Sequence, residues 1–245
     1  MLNRFKADLH IHTCLSPCSE STMSPRRIVE QAKLKGLDII GICDHNSIEN
    51  VVYVKKAGEK EGLAVIGGIE VTSKEEVHIL AYFDEDEKMV ELADLIYENL
   101  PGENDERLFG TQIVANEDDE VMSLNSRLLI GATSLSIEYL VARIHALSGL
   151  AIASHIDREG FGIIGQLGYI PDNLELDGLE ISPRLSLNEA KIKFGQSCNL
   201  PFVTSSDAHN LENIGKSYTC LSIAEANIKE IRKALYGEDG RKVVM

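Results

Sequence analysis

Short apolar runs alternate along this chain with segments whose apolar residues recur every three or four positions. Apolar runs of this length are typical of strands buried on both faces of a parallel sheet, and the recurring segments predict helices. Units of one strand and one helix in this order place the fold in the α/β class and allow a βα barrel. The predicted strands are the stretch around His10 and residues 37–43, 63–69, 77–83, 150–154, 178–181 and 202–206, with a short strand at 218–221.

Capping residues and glycines mark the helix boundaries. Ser24 and Pro25 predict an N-cap and a first helical turn, and Gly36 predicts the end of that helix. The second helix is expected to end at Gly62. Further helices are predicted at about residues 86–99, 137–147 and 224–235.

Residues 101–133 interrupt this regular pattern. They contain an acidic cluster, Glu117 to Glu120, and show little periodicity. We interpret them as an insertion that could cover a site, with a solvated surface excursion as the alternative, because acidic runs are usually exposed. The 245 residues suit one α/β barrel with a modest insertion, so 1–245 is predicted to form a single domain.

His10 and His12 are separated by one residue in the first predicted strand. Side chains alternate between the faces of a strand, so both imidazoles are expected on one face with Asp8, opposite Leu9. Neutral imidazole is a common ligand for zinc, iron and copper, and a neighbouring carboxylate can orient the ring. The pair therefore predicts a divalent metal site, although a lone His-x-His also occurs in ordinary half-buried strands.

Other imidazoles and carboxylates stand at the ends of later strands, where a βα barrel carries its active site. An unpaired buried polar group costs about 1–3 kcal/mol, and bound ions would remove that cost. The candidates outnumber the ligands of one tetrahedral zinc, which predicts two or three ions with Glu70 as the bridging carboxylate. His145 lies inside a predicted helix and is expected to be a packing or surface residue. The candidates are His10, His12, His45, Glu70, His155, Asp207 and His209, with His78 as a further candidate within a strand.

Acidic residues outnumber basic ones, 39 to 24, and the formal net charge is −15. Such a surface repels long polyanions, so no stable nucleic-acid complex is expected. A small phosphorylated substrate remains compatible, because bound cations can dominate the charge of a site.

The amino-terminal residues lack the apolar run of a signal peptide, and no apolar segment is long enough to span a bilayer, which predicts a cytoplasmic protein without a membrane partner. The five cysteines form an odd set without a Cys-x-x-Cys pair, which argues against a disulfide scaffold. They are Cys14, Cys18, Cys43, Cys198 and Cys220.

Several segments together resemble the PHP family, the polymerase and histidinol phosphatase group of metal-dependent phosphoesterases. They occur in the family's order across nearly the whole chain. The resemblance implies a distorted TIM-like barrel of seven βα units, in agreement with the seven main strands predicted above. The segments are Asp8-Leu9-His10-Ile11-His12-Thr13, Asp44-His45-Asn46, Gly68-Ile69-Glu70-Val71, His78, Ala153-Ser154-His155 and Ser206-Asp207-Ala208-His209.

The resemblance also implies how the ligands divide among zinc, iron or manganese ions. A third ion would involve His45 and His209, but Pro17 stands where family members often carry an aspartate. Glu20 or a thiolate from Cys14 or Cys18 could replace that ligand, although the two cysteines are interpreted in the first place as plain loop thiols. The first ion would be held by His10, His12, Glu70 and Asp207, and the second by Glu70, His78 and His155.

The implied activity is hydrolysis of a small phosphomonoester or phosphodiester, nucleotide-derived substrates included, through a metal-activated hydroxide. Asp207 would accept a proton or orient water, and His45 or His209 would assist the leaving group if no third ion binds. Arg158 matches an arginine that some family members use to hold the phosphate. A metal-dependent amidohydrolase and a catalytically inactive metal-binding regulatory module remain the alternatives.

Overall fold

The computed structural model describes residues 1–195 and 200–244, so Cys198 lies outside the described residues. Strands and helices alternate along most of the chain, as the hydrophobic pattern predicts. The strands are β1 (Asn3–Ile11), β2 (Ile39–Ile42), β3 (Ala64–Thr72), β4 (His78–Phe83), β5 (Ile113–Ala115), β6 (Val121–Leu124), β7 (Leu150–Ala153), β8 (Gly178–Ile181), β9 (Phe202–Thr204), β10 (Thr219–Ile223) and β11 (Lys242–Val244). The α-helices are α1 (Pro25–Leu34), α2 (Val51–Glu61), α3 (Asp86–Glu98), α4 (Glu106–Phe109), α5 (Ile137–Ala146), α6 (Ile163–Leu167), α7 (Leu187–Phe194) and α8 (Ile228–Tyr236).

Within the described ranges, nine strands form one curved sheet in the order β11-β10-β1-β2-β3-β4-β7-β8-β9. A parallel bridge between Ile11 and Ala208 brings the end of the sheet back to β1, so the barrel is nearly closed. The predicted α/β barrel class is therefore confirmed. The predicted count of seven strands is wrong, because β10 and β11 extend the sheet beyond β1, with Phe5 opposite Leu221 in an antiparallel pair.

The strand β4 runs against both of its neighbours in the sheet. β4 pairs antiparallel with both β3 and β7, whereas β1, β2 and β3 are mutually parallel, as are β7, β8 and β9. The start of β4 consequently lies at the same end of the barrel as the ends of its neighbours. Thr72 at the end of β3 is opposite His78 at the start of β4.

A β-bulge in β1 breaks the simple alternation expected around His10. Asp8 is opposite Ile40 and Ile11 is opposite Ile42, so two residues of β1 face one residue of β2. Gly41 lies at this point, and a Cβ on it would stand 2.2 Å from the Leu9 carbonyl oxygen. Both Asp8 carboxylate oxygens accept backbone N–H groups, from Ser206 and Gly215.

The helices begin and end close to their predicted boundaries. Ser24 is the N-cap of α1 with Pro25 in its first turn, and Gly62 ends α2 in the left-handed conformation, at φ 68°. α8 begins four residues later than predicted, because the Asn227 side chain caps it by accepting the N–H of Glu230. In the described part of the chain, no helix has both the length and the apolar character needed to cross a membrane.

Two hydrophobic layers hold the barrel. The outer layer fills the space between the strands and the helices α1, α2, α3 and α5. The inner layer fills the barrel itself, and Ile228, Ile231 and Leu235 of α8 pack into it from the end opposite the site. Because α8 covers that end, the opposite end is referred to as the open end of the barrel.

The segment 101–133 lies against the open end of the barrel. It contains α4 and the β5–β6 hairpin, and its Val114 and Leu129 pack on Leu15. The Asn46 amide donates to the carbonyl oxygens of Leu129 and Gly131, which anchors the segment beside the strand ends. Ile130, between these two anchors, lines the cavity described next.

Candidate metal centre

Four side chains converge at the open end of the barrel. The Nε2 atoms of His10 and His12 are 3.0 Å apart. Asp207 Oδ1 lies 3.3 Å from the first and 3.1 Å from the second, and the Glu70 carboxylate oxygens lie 3.5 and 3.4 Å from them. Ligand atoms held about 2.0–2.2 Å from one ion are roughly 3–3.6 Å from one another. The spacing of this group therefore suits a single divalent ion.

Hydrogen bonds on the far side of each ring turn the correct nitrogen towards this point. His10 Nδ1 lies 3.0 Å from Glu180 Oε2, and His12 Nδ1 lies 3.0 Å from the Ser16 hydroxyl. If each Nδ1–H donates, each Nε2 carries the free lone pair that a metal ion requires.

Three further imidazoles surround Glu70. His78 Nδ1 is 2.9 Å and His155 Nε2 is 3.3 Å from Glu70 Oε1, while His45 Nδ1 is 3.0 Å from Oε2. Among the described residues, the buried His155 Nδ1 has no hydrogen-bond partner, and the buried His45 Nδ1 makes no hydrogen bond of acceptable geometry despite its short distance to Glu70 Oε2. Buried nitrogens that lack a hydrogen bond and lie beside a carboxylate fit a site that metal ions complete. Each buried polar group left unsatisfied costs about 1–3 kcal/mol of folding free energy.

The structure also places His209 beside this cluster. Its ring stacks on His12 with 4.2 Å between centroids, and one nitrogen each of His12, His45 and His209 lies within 4.8 Å of the others. Cys18 lines the same cavity as His45 and His209. All eight predicted metal-binding residues are thus brought together at one end of the barrel, with Cys18 at its rim.

Charge in this cluster is strongly coupled. Burial alone would raise the pKa of Glu70, but His78, His10 and His45 hold it well below its usual range. Burial would lower the pKa of His10, yet Glu180, Asp207 and Glu70 raise it well above the ordinary value. Positive charge beside Glu70 and Asp207 thus favours their ionised forms, and divalent cations would supply such charge.

Arg158 and Phe161 line the same cavity, which measures about 180 Å³. Arg158 Nη1 lies 2.6 Å from Asp207 Oδ2, and the Phe161 ring stacks on His78 with 4.5 Å between centroids. The backbone carbonyl of Phe161 also accepts the N–H of His78. A guanidinium at this position can hold a phosphate oxygen next to the metal centre.

Three residues in the loops that follow β2, β7 and β9 adopt positive φ angles. These are Asn46 at 49°, His155 at 28° and Asp207 at 50°. Positive φ is uncommon for residues other than glycine, and such strain is concentrated at functional sites. At His155 and Asp207, the positive φ angle accompanies side chains that face the cluster, since His155 contacts Glu70 and Asp207 contacts His12.

Sequence reasoning missed the residues that orient the candidate ligands. Glu180 lies inside the fully buried strand β8 and accepts from the Ser154 hydroxyl and the His155 N–H as well as facing His10. Asp44 accepts from Thr13 and Ser16, which fixes the loop that follows His12. A charged residue inside a buried strand is rare, and that signal could have identified Glu180.

A barrel whose open end gathers imidazoles, carboxylates and an arginine defines a class of metal-dependent hydrolases. The sequence model of the PHP domain matches residues 8–170, and that of the PHP-associated region matches residues 186–237. The chain belongs to the PHP family. Membership confirms the predicted family.

Several similar proteins are longer than this chain. The uncharacterized protein YqxK of Bacillus subtilis is 26% identical over 274 residues, which cover 99% of this chain and 65% of that protein. Endonuclease Q of Pyrococcus furiosus, a lesion-specific endonuclease, has a TM-score of 0.76 at 22% identity, covering 99% of this chain and 58% of that one. The structure of an Endonuclease Q complex with a 27-mer duplex containing an abasic lesion has a TM-score of 0.74 at 21% identity. The match covers 98% of this chain and 58% of that one.

The expectation that nucleic acid would be excluded is wrong. A protein with this fold has been crystallised with duplex DNA at its active site. The expectation rested on the net charge of −15, which is a sum over the whole surface. Local cations decide whether a phosphate backbone can approach a site, so the overall charge does not decide this question.

Proposed function

We propose that this chain is a metal-dependent phosphoesterase whose centre lies on both sides of Glu70. The observation that carries the proposal is the position of the Glu70 carboxylate between the imidazoles. Its Oε1 lies within 3.5 Å of His10, His78 and His155, and its Oε2 lies within 3.4 Å of His12 and His45. A carboxylate shared between two sets of imidazoles can bridge two ions. His10, His12, Glu70 and Asp207 would hold one ion, and Glu70, His78 and His155 the second.

Ions bound there would lower the pKa of water and neutralise the charge of a phosphate group. Asp207 Oδ2 faces Arg158 and is placed to accept a proton from the attacking water. When substrate binds, Arg158 would give up part of its ion pair with Asp207 and pair instead with a phosphate oxygen. His45 and His209, on the side of Cys18, would stabilise the leaving oxygen as a proton donor or as ligands of a further ion.

The cavity favours recognition of the phosphate over the rest of the substrate. Its lining consists mainly of candidate ligands and Arg158, and Ile130 and Phe161 supply its large apolar contacts. We propose that the substrate is a phosphoester whose organic part lies outside the cavity. Nucleotides, cyclic phosphodiesters and oligonucleotides belong to this class. Arg158 favours phosphate over the carbonyl group that an amidohydrolase would attack.

A substrate panel tests this proposal. Purified protein is assayed with a phosphomonoester, a cyclic phosphodiester, a single-stranded oligonucleotide and an abasic duplex, before and after chelation and metal restoration. We expect restorable hydrolysis of at least one, and a loss of about 10- to 100-fold in kcat/KM for Arg158→Gln, since one charged hydrogen bond is worth about 1.5–3 kcal/mol. Arg107→Gln is the matched control, because Arg107 is exposed and pairs only with Asp105 among the described residues. Metal binding without turnover of any phosphoester would contradict the proposal.

A further inference from the structure

The loop that follows β7 places an exposed aromatic ring at the cavity of the proposed centre. Phe161 is 41% exposed and lines the cavity together with Arg158, which precedes it by three residues. Ile130, the other large apolar side chain of the lining, is half-buried and belongs to the segment 101–133. An exposed aromatic ring forgoes part of the stabilisation that burial in the core would give it. Its apolar surface is therefore available to a ligand.

The backbone holds Phe161 in this position at a conformational cost. Its φ angle is 61°, in the left-handed region that bulky residues rarely adopt. Its carbonyl oxygen accepts the N–H of His78 at 2.9 Å, which ties the loop to the start of β4. The following Gly162 lets the loop turn back closely, since a Cβ there would stand 2.6 Å from the Arg158 carbonyl oxygen. Arg158 and Phe161 are thus held together on one tightly folded loop.

The ring lies next to the place where a phosphate would bind. Phe161 stacks on His78 with 4.5 Å between centroids and 19° between the ring planes. His78 Nδ1 is 2.9 Å from Glu70 Oε1, so one imidazole separates the Phe161 ring from the carboxylate proposed to bridge the ions. The organic group of a phosphoester held by Arg158 beside Glu70 would therefore have Phe161 as an apolar neighbour.

We propose that Phe161 is a specificity-determining residue, whose exposed surface stacks on a nucleobase in the organic part of the phosphoester. Every nucleobase has a π-face, and an aromatic side chain provides a platform for it without selecting one base over another. This inference rests on the proposed function, because Arg158 and the metal centre would position the phosphate. The competing role for Phe161 is to hold the His78 ring in place, which would affect every phosphoester equally.

Ligand binding to the metal-loaded full chain separates these two roles without turnover. The probes are two phosphonates that contain no ester bond to hydrolyse. One is the analogue of adenosine monophosphate in which a methylene group replaces the ester oxygen, and the other is methylphosphonate, which lacks the base. Calorimetry would give the Kd of each for the wild type, Phe161→Leu and Tyr139→Leu. Tyr139→Leu is the matched control, because Tyr139 is 49% exposed on helix α5, outside the cavity lining.

We expect the wild type to bind the adenosine phosphonate more tightly than methylphosphonate. This preference should fall about tenfold in Phe161→Leu, because stacking of the base on an aromatic ring is lost. Tyr139→Leu should keep the preference of the wild type. A preference that Phe161→Leu leaves unchanged, including an equal loss of affinity for both phosphonates, would overturn the inference.

The sequence contains no tryptophan, which allows a second readout. Phe161→Trp and Tyr139→Trp would each carry a single tryptophan, whose fluorescence a stacked base quenches. The adenosine phosphonate should quench Phe161→Trp but not Tyr139→Trp, and methylphosphonate should quench neither. A wild type that binds both phosphonates equally well would overturn the inference and leave the proposed function standing, whereas a metal-loaded wild type that binds neither would overturn both.

Discussion

Glu70 and Asp177 are both buried carboxylates that face histidine, and they lie at opposite ends of the barrel. Asp177 precedes β8 and accepts from His145, the Ala151 N–H and the Tyr236 hydroxyl at 2.9, 2.7 and 2.8 Å. Each of these three partners donates one hydrogen bond to Asp177. Five imidazoles lie within 3.5 Å of Glu70, which is more than one carboxylate can satisfy. A carboxylate whose hydrogen bonds are all satisfied, such as Asp177, stabilises the fold. A carboxylate surrounded by more imidazoles than it can pair with, such as Glu70, is suited to binding metal ions.

Replacing each carboxylate by its amide gives the largest expected contrast. Glu70→Gln should lower kcat/KM by about a thousandfold or more, since metal ions supply several kcal/mol of transition-state stabilisation. Asp177→Asn should leave kcat/KM of the folded protein within about twofold, because Asp177 is remote from the cavity. Steady-state kinetics on the two purified variants measures both effects. Equal losses in the two variants would contradict the separation of roles.

Removing metal ions should weaken the fold at the Glu70 end. A ligand present at about 100 times its Kd adds about 2.7 kcal/mol to the free energy of unfolding. Denaturant unfolding before and after chelation should therefore show a loss of about 3 kcal/mol in the wild type and a smaller loss in Glu70→Gln. No change in the wild type would mean that the cluster is satisfied without cations.

Asp177→Asn tests the satisfied carboxylate directly. The amide can accept from some of the same donors but leaves others mismatched, so we expect the free energy of unfolding to fall by about 1–3 kcal/mol. The measurement is denaturant unfolding of the metal-loaded variant beside the wild type. Its metal content should be unchanged, and a loss of metal would show that the two ends are coupled.

The smallest expected effect is a pH dependence at Asp177. Burial acts to raise its pKa, but the hydrogen bonds from His145, Ala151 and Tyr236 lower it overall. Its folded pKa is thus below the unfolded value of about 3.9. The stabilisation is present above that value and is lost as pH falls through the folded pKa. The stability difference between wild type and Asp177→Asn should therefore shrink below about pH 4, and a difference that grows on acidification would contradict this sign.

Most of the candidate site could be predicted from the ends of the strands. Apolar runs followed by His45, Glu70, His155 or Asp207 indicate buried strands that carry these side chains to the same end of the barrel. The separation of His145 from the site also followed from its helical surroundings, and the structure pairs it with Asp177.

The remaining features depend on long-range pairing. The bulge at Leu9 and His10 depends on Gly41 across the strand pair, and the position of His78 depends on the antiparallel direction of β4. Glu180, the partner of His10, is 170 positions away in the chain, so no local pattern could join the two residues.

The most direct test of the Glu70-centred site is the metal content per chain, measured by elemental analysis of the wild type, Glu70→Gln and Asp177→Asn. We predict two or more divalent ions in the wild type and in Asp177→Asn, and a loss of at least one in Glu70→Gln. A wild type without metal affinity, or a Glu70→Gln variant that retains every ion, would contradict the account.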